Sequence, residues 1–267
     1  MTGCSSGIGR ATARALALAG FPTWASARRL DAVADLEQAG CRLLQLDVTD
    51  EGSRVAAVAA VAAEHGAVGV LVNNAGHGLG GPLEEIPLEL VRETFETNVF
   101  GLLRLCQLVV PGMRAQHRGT IVNIGSVAGL LTPPGSGAYS MTKYSVESLS
   151  DALRLELAAF GIRTILIEPG VVQTEFRRNS LQPSGKPEGA SAYQGFSSRA
   201  AGLREQAYRP GRGLSAEDVA RVIVGAVRAR HPRARYPVGA GARVGPLARR
   251  VLEDRVWDAI LGRAMRR

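Results

Sequence analysis

The chain has 267 residues, of which 46% are apolar and 21% charged, with a net charge of +8 at neutral pH. That balance fits one globular domain with a sizeable core and excludes a disordered chain. Three scattered cysteines (Cys4, Cys41 and Cys106) exclude a disulfide framework; the lack of a Cys-x-x-Cys pair gives no sign of zinc, so no metal is expected and a reducing cytoplasm is the natural setting.

No apolar run reaches the ~18 residues that a bilayer span needs. The 32 basic residues are spread along the chain without an aromatic-rich basic module, so nucleic acid is not an expected partner. The opening Met1–Ala27 imitates a secretory signal, with early arginines, the apolar stretch 15–21 and an Ala-Ser-Ala ending. That stretch is short, and the glycines before it belong to a better-explained motif.

Apolar runs of strand length alternate with segments of helical period, the pattern of a parallel α/β sheet. In chain order the pattern predicts a helix over 9–19, a strand over 23–27, a strand over 42–46, a helix over 53–64 and a strand over 68–72. A long helix over 88–114, a strand over 120–124, a helix over 139–160 and a strand over 163–167 follow. The segment 173–213, rich in Ser, Gly, Pro and Arg, breaks the alternation and reads as a long loop placed to serve as a substrate lid. The pattern closes with a helix over 216–229, a strand over 235–238 and a helical extension over 246–264. In that extension Val251, Val256, Trp257, Ile260 and Leu261 lie among arginines. The spacing suits a helix packed on the domain or on a subunit better than one lying in a membrane interface.

Thr2-Gly3-Cys4-Ser5-Ser6-Gly7-Ile8-Gly9 opens the first helix. Gly3, Gly7 and Gly9 permit a tight turn and close approach of backbone to a diphosphate, and the helix N-terminus offers free N–H groups to that charge. About 20 residues on, where an acidic side chain would hold the ribose 2′-hydroxyl of NAD, stands Ala27, followed by Arg28 and Arg29. A guanidinium matches a 2′-phosphate, so NADP(H) is expected, with Arg28 the principal contact. Asp47 and Val48 end the next strand, where the adenine would lie.

Tyr139 and Lys143 are four apart on one helix face. A phenol titrates near 10, and an ammonium one turn away is expected to lower that value. Ser126 ends a strand and would steady a carbonyl oxygen beside Tyr139; Asn98 is a polar residue inside an apolar helix.

Together these elements resemble the short-chain dehydrogenase/reductase family over nearly the whole chain. Residues 2–9 are similar to its cofactor loop, and Asn73-Asn74-Ala75-Gly76 to the segment that steadies its central sheet and lines its cofactor. Asn98, Ser126, Tyr139 and Lys143 fall where its catalytic tetrad falls. Pro169, Gly170, Val172 and Thr174 are similar to the segment that holds the nicotinamide carboxamide. The resemblance implies a single Rossmann-type domain over 1–267, a doubly wound parallel sheet, and hydride transfer between NADP(H) and an alcohol or carbonyl. In that mechanism Tyr139 moves the proton and Ser126 steadies the oxyanion. Lys143 binds the ribose and tunes Tyr139, and Asn98 holds a relay water. It further implies a homodimer or homotetramer built on the two long middle helices.

Within the family, Gly3–Gly9, Gly76-His77-Gly78-Leu79 and the 139–170 segment are most similar to 17β-hydroxysteroid and retinol dehydrogenases. That implies a lipophilic small-molecule substrate, with His77, Leu79 and Phe176 beside Ser126 and Tyr139 in its pocket. Family members have an apolar central strand running into the Thr-Gly of the loop, and here only Met1 precedes Thr2. The expectation is therefore that this strand is missing, that strands 23–27 and 68–72 stand about 9–10 Å apart with no residue between them, and that the natural start lies upstream.

Overall fold

The structure, a computed structural model, describes residues 1–176, 178, 180, 191–209, 211 and 213–266. Six parallel strands are found among them: β1 (Thr23–Ala27), β2 (Cys41–Gln45), β3 (Val70–Asn73), β4 (Gly119–Ile124), β5 (Ile162–Pro169) and β6 (Arg235–Val238). β1 pairs with β2, and β3-β4-β5-β6 form a second ladder, with Val72 opposite Val122 and Val122 opposite Ile165. β4 is buried along its whole length, as expected of a parallel strand covered on both faces.

Side chains alternate between the two faces. Leu71, Ile121 and Leu166 point into a core with Leu102, Leu105, Met113 and Val146. Their neighbours Val72, Val122, Ile165 and Ile167 point into another core with Leu16, Val219 and Ile223. The first face is closed by α2 (Glu51–His65), α4 (Gly101–Ala115) and α5 (Gly137–Leu157), and the second by α1 (Gly7–Leu18) and α7 (Ala216–Arg228). The sheet is thus doubly wound. The helices start where local chemistry directs: Asp50 caps α2 by accepting from Ser53 N–H at 2.6 Å, and Ser215 and Asp218 form a reciprocal capping box on α7.

Three expectations are corrected. The predicted helix over 88–114 is α3 (Leu88–Phe95), a π-helical turn (Glu96–Phe100) and α4, run together. Segment 173–213 is not all loop, because α6 (Gln194–Ala207) lies within it; residues 181–190 of that segment are outside the described residues. The C-terminal stretch is two helices, α8 (Ala240–Val251) and α9 (Asp254–Ala264). Only Trp257 and Leu261 of its expected packing residues lean on the body, whereas Val251, Val256 and Ile260 are exposed.

β1 and β3 share no ladder, as expected, but residues do stand between their C-terminal ends. Met1–Cys4 threads there: Ser26 N–H donates to Met1 O at 3.1 Å and Cys4 N–H to Ser26 O at 2.8 Å, while on the other side Thr2 N–H donates to Val72 O at 3.0 Å. The Met1 ammonium is buried, donates to Trp24 O at 3.0 Å, and has its pKa lowered by desolvation. Beyond it, toward the N-terminal ends of the strands, runs a groove of about 440 Å³ walled by Leu16, Phe21, Trp24, Val68, Val70 and Val227.

The groove has the walls and the backbone edges to accept one more parallel strand. Joining five β-branched apolar residues ahead of Met1 would turn a buried ammonium into an amide and bury side chains each worth about 1.5–3 kcal/mol. The expected outcome is a Tm raised by roughly 5–10 °C, read by calorimetry; an unchanged Tm would show that the groove does not take a strand.

Candidate active site

The strand ends of the sheet bring the singled-out residues to one edge. Gly3 and Gly7 take positive φ, +68° and +54°, which only glycine adopts without strain. A Cβ on Gly9 would stand 2.1 Å from Gly3 O, and one on Gly3 would stand 2.8 Å from Ala75 Cα. The loop is stitched to the strand after it: Thr2 Oγ1 accepts from Asn74 N–H and Ala75 N–H, both at 2.9 Å, and Asn74 Nδ2 donates to Thr2 O and Gly3 O. Ser5 and Ser6 lead into α1, whose N-cap, Ser6, makes no side-chain cap, so the N–H groups of the first turn, Ile8 included, face outward for an anion. Thr174 stands against Gly7, where a Cβ would lie 3.1 Å from its own. This close-packed cradle fits a diphosphate.

Ala27 is buried at the end of β1, followed by exposed Arg28 and Arg29. Arg29 is engaged by Asp31, Nε to Oδ1 at 3.1 Å. The Arg28 guanidinium has no ion pair among the described residues and acts at a distance on Asp47 and His77. Asp47 accepts from the N–H and hydroxyl of Thr49, and Gly101 allows Val48 O to pass where a Cβ would lie 2.3 Å away. On the far side, Gly170 N–H donates to Val238 O at 3.0 Å, and Val172 pairs with Leu214, which fixes the segment from Pro169 to Thr174 beside the loop.

α5 carries Tyr139 and Lys143 in its first turns, and β4 ends two residues before Ser126. Ser126 stands near enough to Tyr139 to oppose the rise of its phenol pKa, and its Oγ accepts from Ala128 N–H at 3.1 Å. Lys143 donates from Nζ to Ile124 O at 2.8 Å and stands 5.7 Å from the Tyr139 ring centroid. Burial pulls the Lys143 pKa down to about 8, opposed by the charge of Glu147. The Tyr139 phenol is raised, not lowered as expected: desolvation of a phenolate outweighs the effect of Ser126, and the ammonium is aimed at a carbonyl.

Asn98 stands on the π turn. Its Oδ1 accepts from His77 N–H at 3.0 Å, and Nδ2 donates to His77 O at 2.9 Å and to Thr142 Oγ1 at 3.1 Å. The side chain therefore pins the 74–77 segment to α5, and Gly76 gives it room, since a Cβ there would lie 2.8 Å from Oδ1.

Ser126 and Tyr139 open onto a cavity of about 450 Å³ that Leu79, Phe176, Ala200 and Leu203 also line. Phe176 packs on Tyr139, ring centroids 5.6 Å apart. His77 is not among the lining residues. Its side chain is half-buried, with Nε2 unpartnered among the described residues and its pKa lowered by burial. The sequence reading missed α6, which supplies Ala200, Leu203, Arg204 and Ala207 to the wall. The signal was present as Phe196, Ala200, Leu203 and Ala207 at helical spacing, masked by the glycines and serines around them. No cluster of metal-ligating side chains is found among the described residues.

A family model described as short chain dehydrogenase matches residues 1–184. The chain is 36% identical to a 17-beta-hydroxysteroid dehydrogenase type 1 of Mus musculus, over 95% of this chain and 76% of that one. It is 32% identical to an NADPH-dependent 3-dehydrocapnine reductase of Ornithobacterium rhinotracheale, over 97% and 94%. Among solved structures it is similar to a short-chain dehydrogenase/reductase of Burkholderia phymatum in complex with NAD, with a TM-score of 0.79, 29% identity and coverage of 96% and 92%. With the cofactor loop, the Ser-Tyr-Lys arrangement and the doubly wound sheet in place, the chain belongs to the short-chain dehydrogenase family of oxidoreductases.

Proposed function

We propose that the protein is an NADP(H)-dependent oxidoreductase that interconverts a lipophilic secondary alcohol and its ketone, or an aldehyde and its alcohol. The observation that carries the reading is the meeting of Tyr139 and Ser126 on the wall of one apolar cavity, with Lys143 one turn away and 5.7 Å from the Tyr139 ring centroid. The cradle of Gly3, Gly7 and Gly9 with the N-terminus of α1 would hold the diphosphate. Asp47 and Val48 would border the adenine, and the segments 74–76 and 169–174 would flank the nicotinamide. The cofactor, when bound, supplies or accepts the hydride.

The chain's own residues do the rest. A carbonyl oxygen placed between the Tyr139 phenol and the Ser126 hydroxyl receives the phenolic proton during reduction, while Ser126 donates a hydrogen bond to the developing negative charge. A raised phenol pKa keeps Tyr139 protonated and ready as an acid. Lys143 would bind the ribose and offset the phenolate left behind, and Asn98, on its π turn, is the place for a relay water. Leu79, Phe176, Ala200 and Leu203 favour an apolar substrate body, in keeping with the hydroxysteroid named for one relative.

Arg28, without an ion pair among the described residues and next to Ala27, favours the 2′-phosphate, as does the NADPH in another relative's name. Phe100, Met141, Tyr144 and Leu155 are exposed on the 96–157 helices and favour a homodimer or homotetramer through that face. Among the described residues no helix is long and apolar enough to cross a membrane; three free, buried cysteines favour a reducing cytoplasm.

Tyr139→Phe removes the acid and leaves the cofactor cradle intact. Turnover of a ketone panel should fall by about 10²–10⁴, with NADPH affinity, read by fluorescence, within about twofold of the parent. A near-normal rate would refute the role of Tyr139.

Arg28→Ala should cut the preference for NADPH over NADH by roughly 10–100-fold in kcat/KM, since a charged hydrogen bond contributes about 1.5–3 kcal/mol. Equal use of both cofactors by the parent would overturn the assignment.

A further inference from the structure

The face of α5 that carries Tyr139 and Lys143 continues at the same spacing to Glu147 and Asp151. Glu147 is only 7% exposed, and Glu168, at the end of β5, only 3%. Glu147 fits there because the glycines on either side of Ser126 make room. A Cβ on Gly129 would lie 3.0 Å from Glu147 Cγ and 2.8 Å from Lys143 O, and one on Gly125 would lie 3.3 Å from Glu147 Oε1. Behind the two glutamates stands Arg235 of β6. Its Nη2 is 3.0 Å from Glu147 Oε2 and its Nε 3.4 Å from Glu168 Oε1, while Asp151 takes its fork at 2.9 and 3.0 Å.

One guanidinium therefore faces three carboxylates. Neither Glu147 oxygen, nor Oε1 of Glu168, has a well-formed hydrogen bond among the described residues. Two buried carboxylates gathered on one guanidinium cannot both ionise cheaply, which favours a proton held on the pair. Burial, and then the Glu168 charge, push Glu147 up to about 8.

The other charged or titratable groups nearby are Arg154 on α5, paired with Asp151, the half-buried His77, which feels Lys143, and Tyr208 after α6, which feels Tyr139. None of them supplies Lys143 with a negative charge; Glu147 is the group that does.

We propose that Glu147 is a positioning residue of the reaction, its carboxylate holding Lys143 in the ammonium form, and that the proton it shares with Glu168 sets the pH at which that hold becomes full. The inference rests on the proposed catalytic role of Lys143. At lower pH the glutamate pair carries one negative charge, and once the shared proton leaves it carries two, a turn below the ammonium. Lys143 then stays charged to higher pH than its burial alone would allow.

The chain has only two lysines, Lys143 and Lys186, which makes the test direct. Protein labelled with ¹³C and ¹⁵N lysine gives two side-chain signals, and Lys143→Arg identifies which is which. In Glu147→Gln the Lys143 titration midpoint should fall by about one pH unit, and the alkaline limb of the kcat profile should move with it. Glu147→Asp should restore most of the shift. In Glu168→Gln, where Glu147 no longer shares a proton and ionises fully, the midpoint should not fall. This second variant separates an electrostatic role from a merely structural one and stands if Glu147→Gln fails to fold. A Lys143 midpoint within about 0.2 pH unit of the parent in folded Glu147→Gln, or a fall in Glu168→Gln, overturns the proposal. Lack of turnover with every ketone would count against the proposed function alone, because the titration is read without substrate.

Discussion

The molecule depends on four residues that join two ladders. Met1–Cys4 hydrogen-bonds to β1 on one side and to β3 on the other, and the Thr2 hydroxyl, almost wholly buried, gathers the N–H groups of Asn74 and Ala75. Those bonds hold the two-stranded and four-stranded ladders in one layer, and they also set the glycine turn against the strand ends where the site forms. Fold and site therefore share one short stretch of backbone. Its backbone also leaves no room for a side chain at Gly9, where a Cβ would lie 2.1 Å from Gly3 O.

Burial is the second constraint. Tyr139, Lys143 and Glu147 lie on one helix face with little water, so each ionisation state is costly unless a neighbour offsets it. Desolvation pushes the phenol up and the ammonium down, toward the neutral forms of both. The Ile124 carbonyl, the Ser126 hydroxyl and the Glu147–Glu168–Arg235 group work against that drift. The polar cluster lies under the site because glycines at 125 and 129 leave the space, and β5 ends and β6 begins beside it. The Ser126 and Tyr139 hydroxyls thus lie on the wall of a largely apolar cavity with a charged cluster beneath them.

Local patterns were legible wherever chemistry is local. The strand over 23–27 and that over 235–238 agree with the predicted bounds, and the capped helix after Ser215 begins one residue later as expected. The spacing of Gly3, Gly7 and Gly9 pointed to a tight backbone turn, and that of Tyr139 and Lys143 to one face of a helix, and both are found, because each motif is short and its geometry is set by backbone turn and helical period. α6 was hidden because its glycines and serines dilute a genuine helical spacing. The π turn at Asn98 was hidden because its cause is tertiary: the amide bonds to the His77 backbone and to Thr142.

The sequence by itself determined the family and the fold class, and it singled out the glycine turn and the Ser126, Tyr139 and Lys143 positions, since these follow from residue spacing and backbone permissiveness. Only the tertiary structure decided what each side chain does. It turned the Lys143 ammonium to a carbonyl, half-buried His77 with its Nε2 unpartnered, engaged Arg29 with Asp31 and, among the described residues, left Arg28 without an ion pair. It also brought Glu147, Glu168 and Arg235 together from a helix and two strands. Those outcomes depend on burial and on contacts between residues far apart in the chain, and the strength of a charge or a hydrogen bond is set by what surrounds it.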